Sequence, residues 1–184
     1  MNQKEAVLTV GRYFLLVILS LFNLALFYFI FTPLTLYPSF FIIHLFQPAT
    51  SLISQSSTIQ IGDDSIQLVN ACIAGSAYYF LLILNLTTPM SLKTRFKSIF
   101  LLMFSFLVLN IIRITIFSFL FLSGFSFFDV AHKLTWYFGS TLMLVFVWFA
   151  NVKFLNILSI PAYTDIKTLI DDIKYKNQPR LLRR

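Results

Sequence analysis

Four long apolar runs divided by short polar breaks dominate the chain. They cover about 13–32, 72–90, 98–122 and 132–153, each close to the roughly 20 residues that cross a hydrocarbon core as a helix. Pro89 with Lys93, Arg95 and Lys97 divides the second run from the third, and residues 123–129, with Gly124, divide the third from the fourth. The first run comes after Lys4 and Arg12, the order found in a signal peptide. It is too long for that role, and Thr32-Pro33-Leu34-Thr35-Leu36 offers no small-x-small cleavage site, so it reads as a retained span. Segment 33–71 has a different rhythm. Its first part, 33–48, is rich in Phe and Leu and is expected to lie along the membrane interface. Thr58-Ile59-Gln60-Ile61 and Ser65-Ile66-Gln67-Leu68 then alternate polar with apolar around Gly62-Asp63-Asp64, which predicts a small β-hairpin. In the tail, 155–184, Thr164 can cap a short helix carrying Ile166, Leu169, Ile170 and Ile173, expected to act as an interfacial anchor.

Composition narrows the class. Of 184 residues, 58% are hydrophobic and 11% charged, against about 45–50% and about 25% in a soluble domain. A soluble globule, a disordered chain and a disulfide scaffold are excluded. The net charge of +7 raises the question of nucleic acid, but its distribution points elsewhere. Residues 33–71 hold no Lys or Arg, only Asp63 and Asp64, and the break after the third run offers only Asp129 before Lys133. The start, the 91–97 break and the tail are basic. Because basic residues collect in loops that stay inside, both termini and the 91–97 loop are expected in the cytoplasm, with 33–71 and 123–131 outside. The expected fold is thus an all-α integral membrane protein of four transmembrane helices in a single domain, with a small extracytoplasmic β-hairpin. No nucleic-acid partner is expected.

An ionisable residue inside an apolar run is costly and by default points to function. One qualifies: Arg113, about one turn below the outer boundary and on the helix face of Asn110, three residues earlier. Two readings compete: an arginine snorkelling to headgroups, or a functional cation. The same count of residues puts Cys72, the only cysteine, at the outer start of the second run and His132 at the outer start of the fourth. Each has an ordinary explanation, Cys72 as a small packing residue and His132 as an interface residue, the role also expected of His44. Together they define a chemistry. A thiolate is the nucleophilic form of cysteine, favoured at a helix N-terminus and beside a cation. An imidazole can take the thiol proton, and a fixed cation in a low-dielectric site stabilises an oxyanion. Asp129 can cap the helix of His132 or orient its ring. One Cys, two His and a few Asp do not make a convincing metal-ligand set, and no cofactor is implied.

These residues resemble a known family, the exosortases and archaeosortases, which are multi-pass membrane cysteine transpeptidases. The resemblance lies in Ala71-Cys72-Ile73-Ala74-Gly75-Ser76 opening one helix, Asn110-Ile111-Ile112-Arg113-Ile114 in the next and Ala131-His132 opening the one after, over roughly residues 65–150. It implies that Cys72 is the nucleophile, His132 its acid/base partner and Arg113 the transition-state stabiliser. It also implies the substrates: secreted proteins ending in a signature motif, a transmembrane helix and a basic cluster. They are cleaved through a thioester and passed to a second nucleophile, for archaeosortases a membrane lipid. This chain departs from many relatives in placing Gly75 three residues after the cysteine rather than two, and in having four spans. The alternative from the residues alone is a non-enzymatic small multi-pass subunit, with Arg113 bonded to Asn110 or to a partner helix.

Overall fold

In a computed structural model, the chain is described at residues 24–157 and at the isolated positions 11, 14, 17 and 18. The expected tail helix at 164–173 and most of the expected first run before residue 24 lie outside the described residues. Helix α1 spans Ala25–Phe46. Strands β1 (Thr50–Ile53), β2 (Thr58–Ile61) and β3 (Asp64–Gln67) come after it. Next are a single turn, α2 (Asn70–Ile73), and α3 (Gly75–Thr87), then α4 (Leu92–Leu122). Helix α5 (Phe128–Leu134) runs through a π-helical turn at Thr135–Gly139 into α6 (Ser140–Phe154). Among the described residues, four helical stretches are long and apolar enough to cross a membrane: Ala25–Phe46, Asn70–Thr87, Leu92–Leu122 and Phe128–Phe154.

The first of these corrects the expected end of the first run at residue 32 and the expected interfacial segment at 33–48. Helix α1 continues through Pro33 and Pro38 to Phe46. Each proline removes one backbone donor, but leaving the helix in an apolar setting would strand many amides, so the helix persists. Its inward face is Phe27, Phe31, Thr35, Ser39 and Ile43, spaced by four as a helix packed along its length requires.

The expected hairpin is present as part of a three-stranded antiparallel sheet ordered β1-β2-β3. Gly62, with φ of +57°, opens the two-residue turn between β2 and β3, the backbone sign that a type II′ turn asks of its first central residue. Ile59 and Ile61 are buried on the inner face, with Leu52 and Ile66 packed beside them. Strand β1 is not evident from sequence, because Thr-Ser-Leu-Ile lacks both a turn signal and a clean alternation. Only pairing with β2 defines it.

Helix α4 is the axis of the bundle, touching α1, α3 and α6. Its buried face runs Arg95, Ser98, Leu102, Phe106, Asn110 and Ile114, then Ser118. The helix begins earlier than the expected 98. Ser91 caps it by accepting from the Thr94 N–H at 3.3 Å, so Lys93, Arg95 and Lys97 sit in the first turns, not in a loop. The bundle places polar side chains inside, among them Asn85, Ser98, Asn110 and Asn151, while Phe29, Phe96, Phe100 and Phe154 stand outward and mostly uncovered. A water-soluble monomer does not expose apolar surface on this scale.

Candidate functional site

Cys72 is positioned by a break in the backbone. The apolar pattern puts it in the first turn of a long helix, but the chain turns once over Asn70–Ile73, then Ala74 adopts a left-handed conformation with φ of +59° and α3 starts afresh at Gly75. Cys72 therefore belongs to a separate short turn, and no long-helix dipole lies behind it. The break has a packing cause at Gly75. A Cβ there would lie 2.8 Å from the Tyr28 ring, so only glycine lets α3 approach α1 this closely. The ring of Tyr78 stacks on that of Phe31 with centroids 3.6 Å apart and fixes the start of α3 against α1.

The same break frees the Cys72 carbonyl, and two side chains of α4 grip it. Asn110 Nδ2 donates to Cys72 O at 2.9 Å and to Ile73 O at 3.4 Å. Arg113 Nη2 donates to Cys72 O at 3.1 Å, while its Nη1 donates to Ser140 Oγ at 2.6 Å. The guanidinium thus fastens α2, α4 and α6 at one point. Because an arginine carries five N–H donors in a planar fork, donors remain after both bonds. Asn110 and Arg113 share one face, as their spacing predicts. Ser140 is a partner that the sequence does not announce. The signal available is a hydroxyl beside Gly139 in an otherwise apolar run.

The π-helical turn sets the fourth element. An extra residue per turn shifts the register of the helix beyond it, so one stretch of chain points His132 and Thr135 into the same space while aiming Ser140 at Arg113. His132 lies in the second turn of α5 rather than at its start. Its ring stacks on Phe128 at 5.5 Å with nearly parallel planes and meets Phe117 edge-on at 5.4 Å. Asp129 is exposed in the first turn of α5, where Phe127, not Asp129, is the capping position. Among the described residues no ion pair or hydrogen bond joins Asp129 to His132. His44 is exposed on α1 and stacks on Phe40, the surface placement expected of it.

These elements enclose a pocket of about 500 Å³ whose lining includes Cys72, Arg113 and His132, together with Ile114, Phe117, Phe121, Phe128 and Trp136. The volume suits a small ligand or a few residues of peptide. Sulfur-bearing, cationic and imidazole side chains thus share one cavity whose other walls are mainly aromatic and aliphatic. Residues 65–69 of β3 and its exit complete the wall. Cys72 is half-buried and unbridged. Among the described residues, no group of three or more His, Cys, Asp or Glu side chains could hold a metal ion.

A second polar cluster, which the sequence does not single out, lies at the other end of the bundle. Asn85 Nδ2 and Asn151 Nδ2 both donate to Ser98 Oγ, at 2.6 and 2.8 Å. Arg95 folds back to donate to the carbonyls of Asn85 and Thr88, the latter at 2.9 Å. All five residues are buried. The cluster satisfies the carbonyls at the end of α3 and ties α3, α4 and α6 together, so Arg95 has a structural task beyond its charge. Comparison with protein-family models, with curated proteins and with solved structures finds no match for this chain.

Proposed function

We propose that the protein is a multi-pass membrane cysteine peptidase and transpeptidase that processes C-terminal sorting signals of secreted proteins. The observation that carries this reading is that Cys72, Arg113 and His132, far apart in sequence, line one pocket. The resemblance to exosortases and archaeosortases in the residues around them supports it. Further support comes from the apolar exterior and from Lys93, Lys97 and Lys153 lying at the end of the bundle opposite the pocket, which by the positive-inside rule favours an extracytoplasmic pocket.

In this mechanism His132 takes the Cys72 proton and the thiolate attacks the scissile carbonyl carbon. The carbonyl oxygen becomes an oxyanion, and the free N–H groups of Arg113 stabilise it in a site of low dielectric. Collapse of the tetrahedral intermediate breaks the C–N bond, the leaving amine takes the proton back from the imidazolium, and the acyl group stays on sulfur as a thioester. A second nucleophile, of which a membrane lipid is the proposed class, gives its proton to His132 and displaces the thiolate. A substrate segment emerging from its own spanning helix is unwound at that depth, which exposes the carbonyl.

The competing reading, a structural subunit, draws on one observation: the bonds of Arg113 to Ser140 and to Cys72 O already join three helices. Co-expression with a secreted protein of the same genome carrying a C-terminal motif, helix and basic tail separates the two. Cys72→Ala abolishes its processing if the thiol is the nucleophile, and an acyl adduct on wild-type Cys72 is released by hydroxylamine. Continued processing by Cys72→Ala would rule the thiol mechanism out.

A further inference from the structure

The pocket wall formed by β3 has a feature that the thiol chemistry does not use. Ser65, Ile66, Gln67 and Leu68 line it consecutively. A strand that presents a face to a cavity contributes every second residue, so four in a row mean that the pocket runs along the edge of the strand. Strand β3 is one of the two edge strands of the sheet, pairing only with β2. The bond from Leu68 N–H to Ser57 O at 2.9 Å fixes which residues face inward. Residues opposite one another in an antiparallel pair alternate between bonded and non-bonded. Leu68, Ile66 and Asp64 therefore turn their amides toward β2, and Ser65 and Gln67 turn theirs outward. Among the described residues nothing pairs with those outward N–H and C=O groups. Val69 continues in extended conformation, so the edge leads straight toward Cys72.

We propose that this edge binds the substrate polypeptide by strand addition: an extended segment lies along β3, exchanges hydrogen bonds with the backbone of Ser65 and Gln67, and is thereby delivered to the Cys72 sulfur. The proposal rests on the peptidase reading and adds the form in which the substrate is held. A free strand edge is a template for another extended chain, and recognition of this kind draws affinity from main-chain bonds and selectivity from pockets for alternate side chains. Here Phe117, Phe121 and Trp136 supply apolar walls for such side chains. A helical ligand has no free backbone groups to offer this edge, so the site takes unwound peptide next to a span, not the span itself.

The test uses the full-length protein in detergent and two electrophilic probe pools. One is a randomised biotinyl-hexapeptide vinyl sulfone, to which the thiolate adds with the proton going to the adjacent carbon. The other is the same pool N-methylated at alternate residues. Labelling of Cys72 by each is divided by its rate with methyl methanethiosulfonate, which normalises for thiol reactivity. The native-backbone pool is expected to label about tenfold faster than the methylated pool, the worth of one or two hydrogen bonds. Gln67→Pro, which removes an outward donor without touching the β2 ladder, is expected to erase most of that difference. The wild-type comparison of the two pools stands on its own if the proline variant does not fold. Equal normalised rates for the two pools, or a peptide pool that fails to label where the small reagent reacts, would overturn strand addition while leaving the thiol mechanism standing. A Cys72 inert to every reagent at neutral pH would overturn both.

Discussion

Arg113 sits where three helices meet, and its two bonds explain why no other cation serves. A lysine has a single point of charge and cannot span Ser140 Oγ and Cys72 O with the fixed fork of a guanidinium. Arg113→Lys is therefore expected to keep the protein folded but lose at least tenfold in thioester formation, measured by single-turnover acylation of Cys72. Ser140→Ala removes one acceptor, leaving a half-buried N–H group unpaired. The expected loss is about 1–3 kcal/mol of stability, read as a lower thermal midpoint in detergent. Ser140→Thr, which keeps the hydroxyl, should recover most of it. Arg113 is legible in the sequence because a charge in an apolar run stands out. Its partners are not, because a serine in an apolar helix carries no comparable signal until the fold brings it close.

At the scale of an element, the break between α2 and α3 decides where the thiol points. Ala74 occupies a left-handed conformation that costs an L-residue roughly 1–2 kcal/mol. Glycine there relieves that strain but adds flexibility to the unfolded chain, so Ala74→Gly is expected to be neutral within about 1 kcal/mol. Ala74→Val is expected to destabilise by about 2 kcal/mol or more, since a branched side chain fits this backbone poorly. Chemical denaturation of the two variants checks the pair. Gly75→Ala forces a methyl group into the Tyr28 ring, and Tyr28→Leu should partly rescue it, the sign of a direct contact in a double-mutant cycle. In the fourth helical stretch, insertion of an alanine between Gly139 and Ser140 rotates α6 by about 100° relative to α5. The helix survives, but Ser140 turns away from Arg113, and the expected result is a folded protein with no processing activity. Neither break is written in residue types. Alanine is a helix former, and Thr-Trp-Tyr-Phe-Gly carries no π signature, so packing alone imposes them.

For the whole molecule, polar groups are buried at two levels with distinct roles. The cluster of Asn85, Ser98, Asn151 and Arg95 lies away from the pocket and holds the bundle. Ser98→Ala leaves two buried amides without their shared acceptor, at about 1–3 kcal/mol each. Its thermal midpoint should fall clearly, while the folded fraction labels at Cys72 at the wild-type rate. Orientation is tested in a Cys72→Ala background with single cysteines at Gln60, in the sheet, and at Met90, in the opposite turn. A membrane-impermeant maleimide should reach Gln60→Cys on intact cells and Met90→Cys only after permeabilisation. The reverse pattern would put the pocket on the cytoplasmic side and contradict the proposed function.

Hydrophobic patterning along the chain was sufficient to mark three of the four helices that are long and apolar enough for a bilayer, the β-hairpin that precedes them, and the placing of Cys72, Arg113 and His132 toward one end of the bundle. Those properties are local: each depends on composition over about 20 residues or on alternation over a few. Tertiary structure decided the rest. It carried α1 through two prolines, added β1 to the hairpin, broke the chain at Ala74, joined Arg113 to Ser140 across 27 positions, and left one strand edge open beside the sulfur. Each of these depends on what a residue meets from a distant part of the chain, and a backbone amide or a lone hydroxyl acquires its role only when packing determines whether a partner is there.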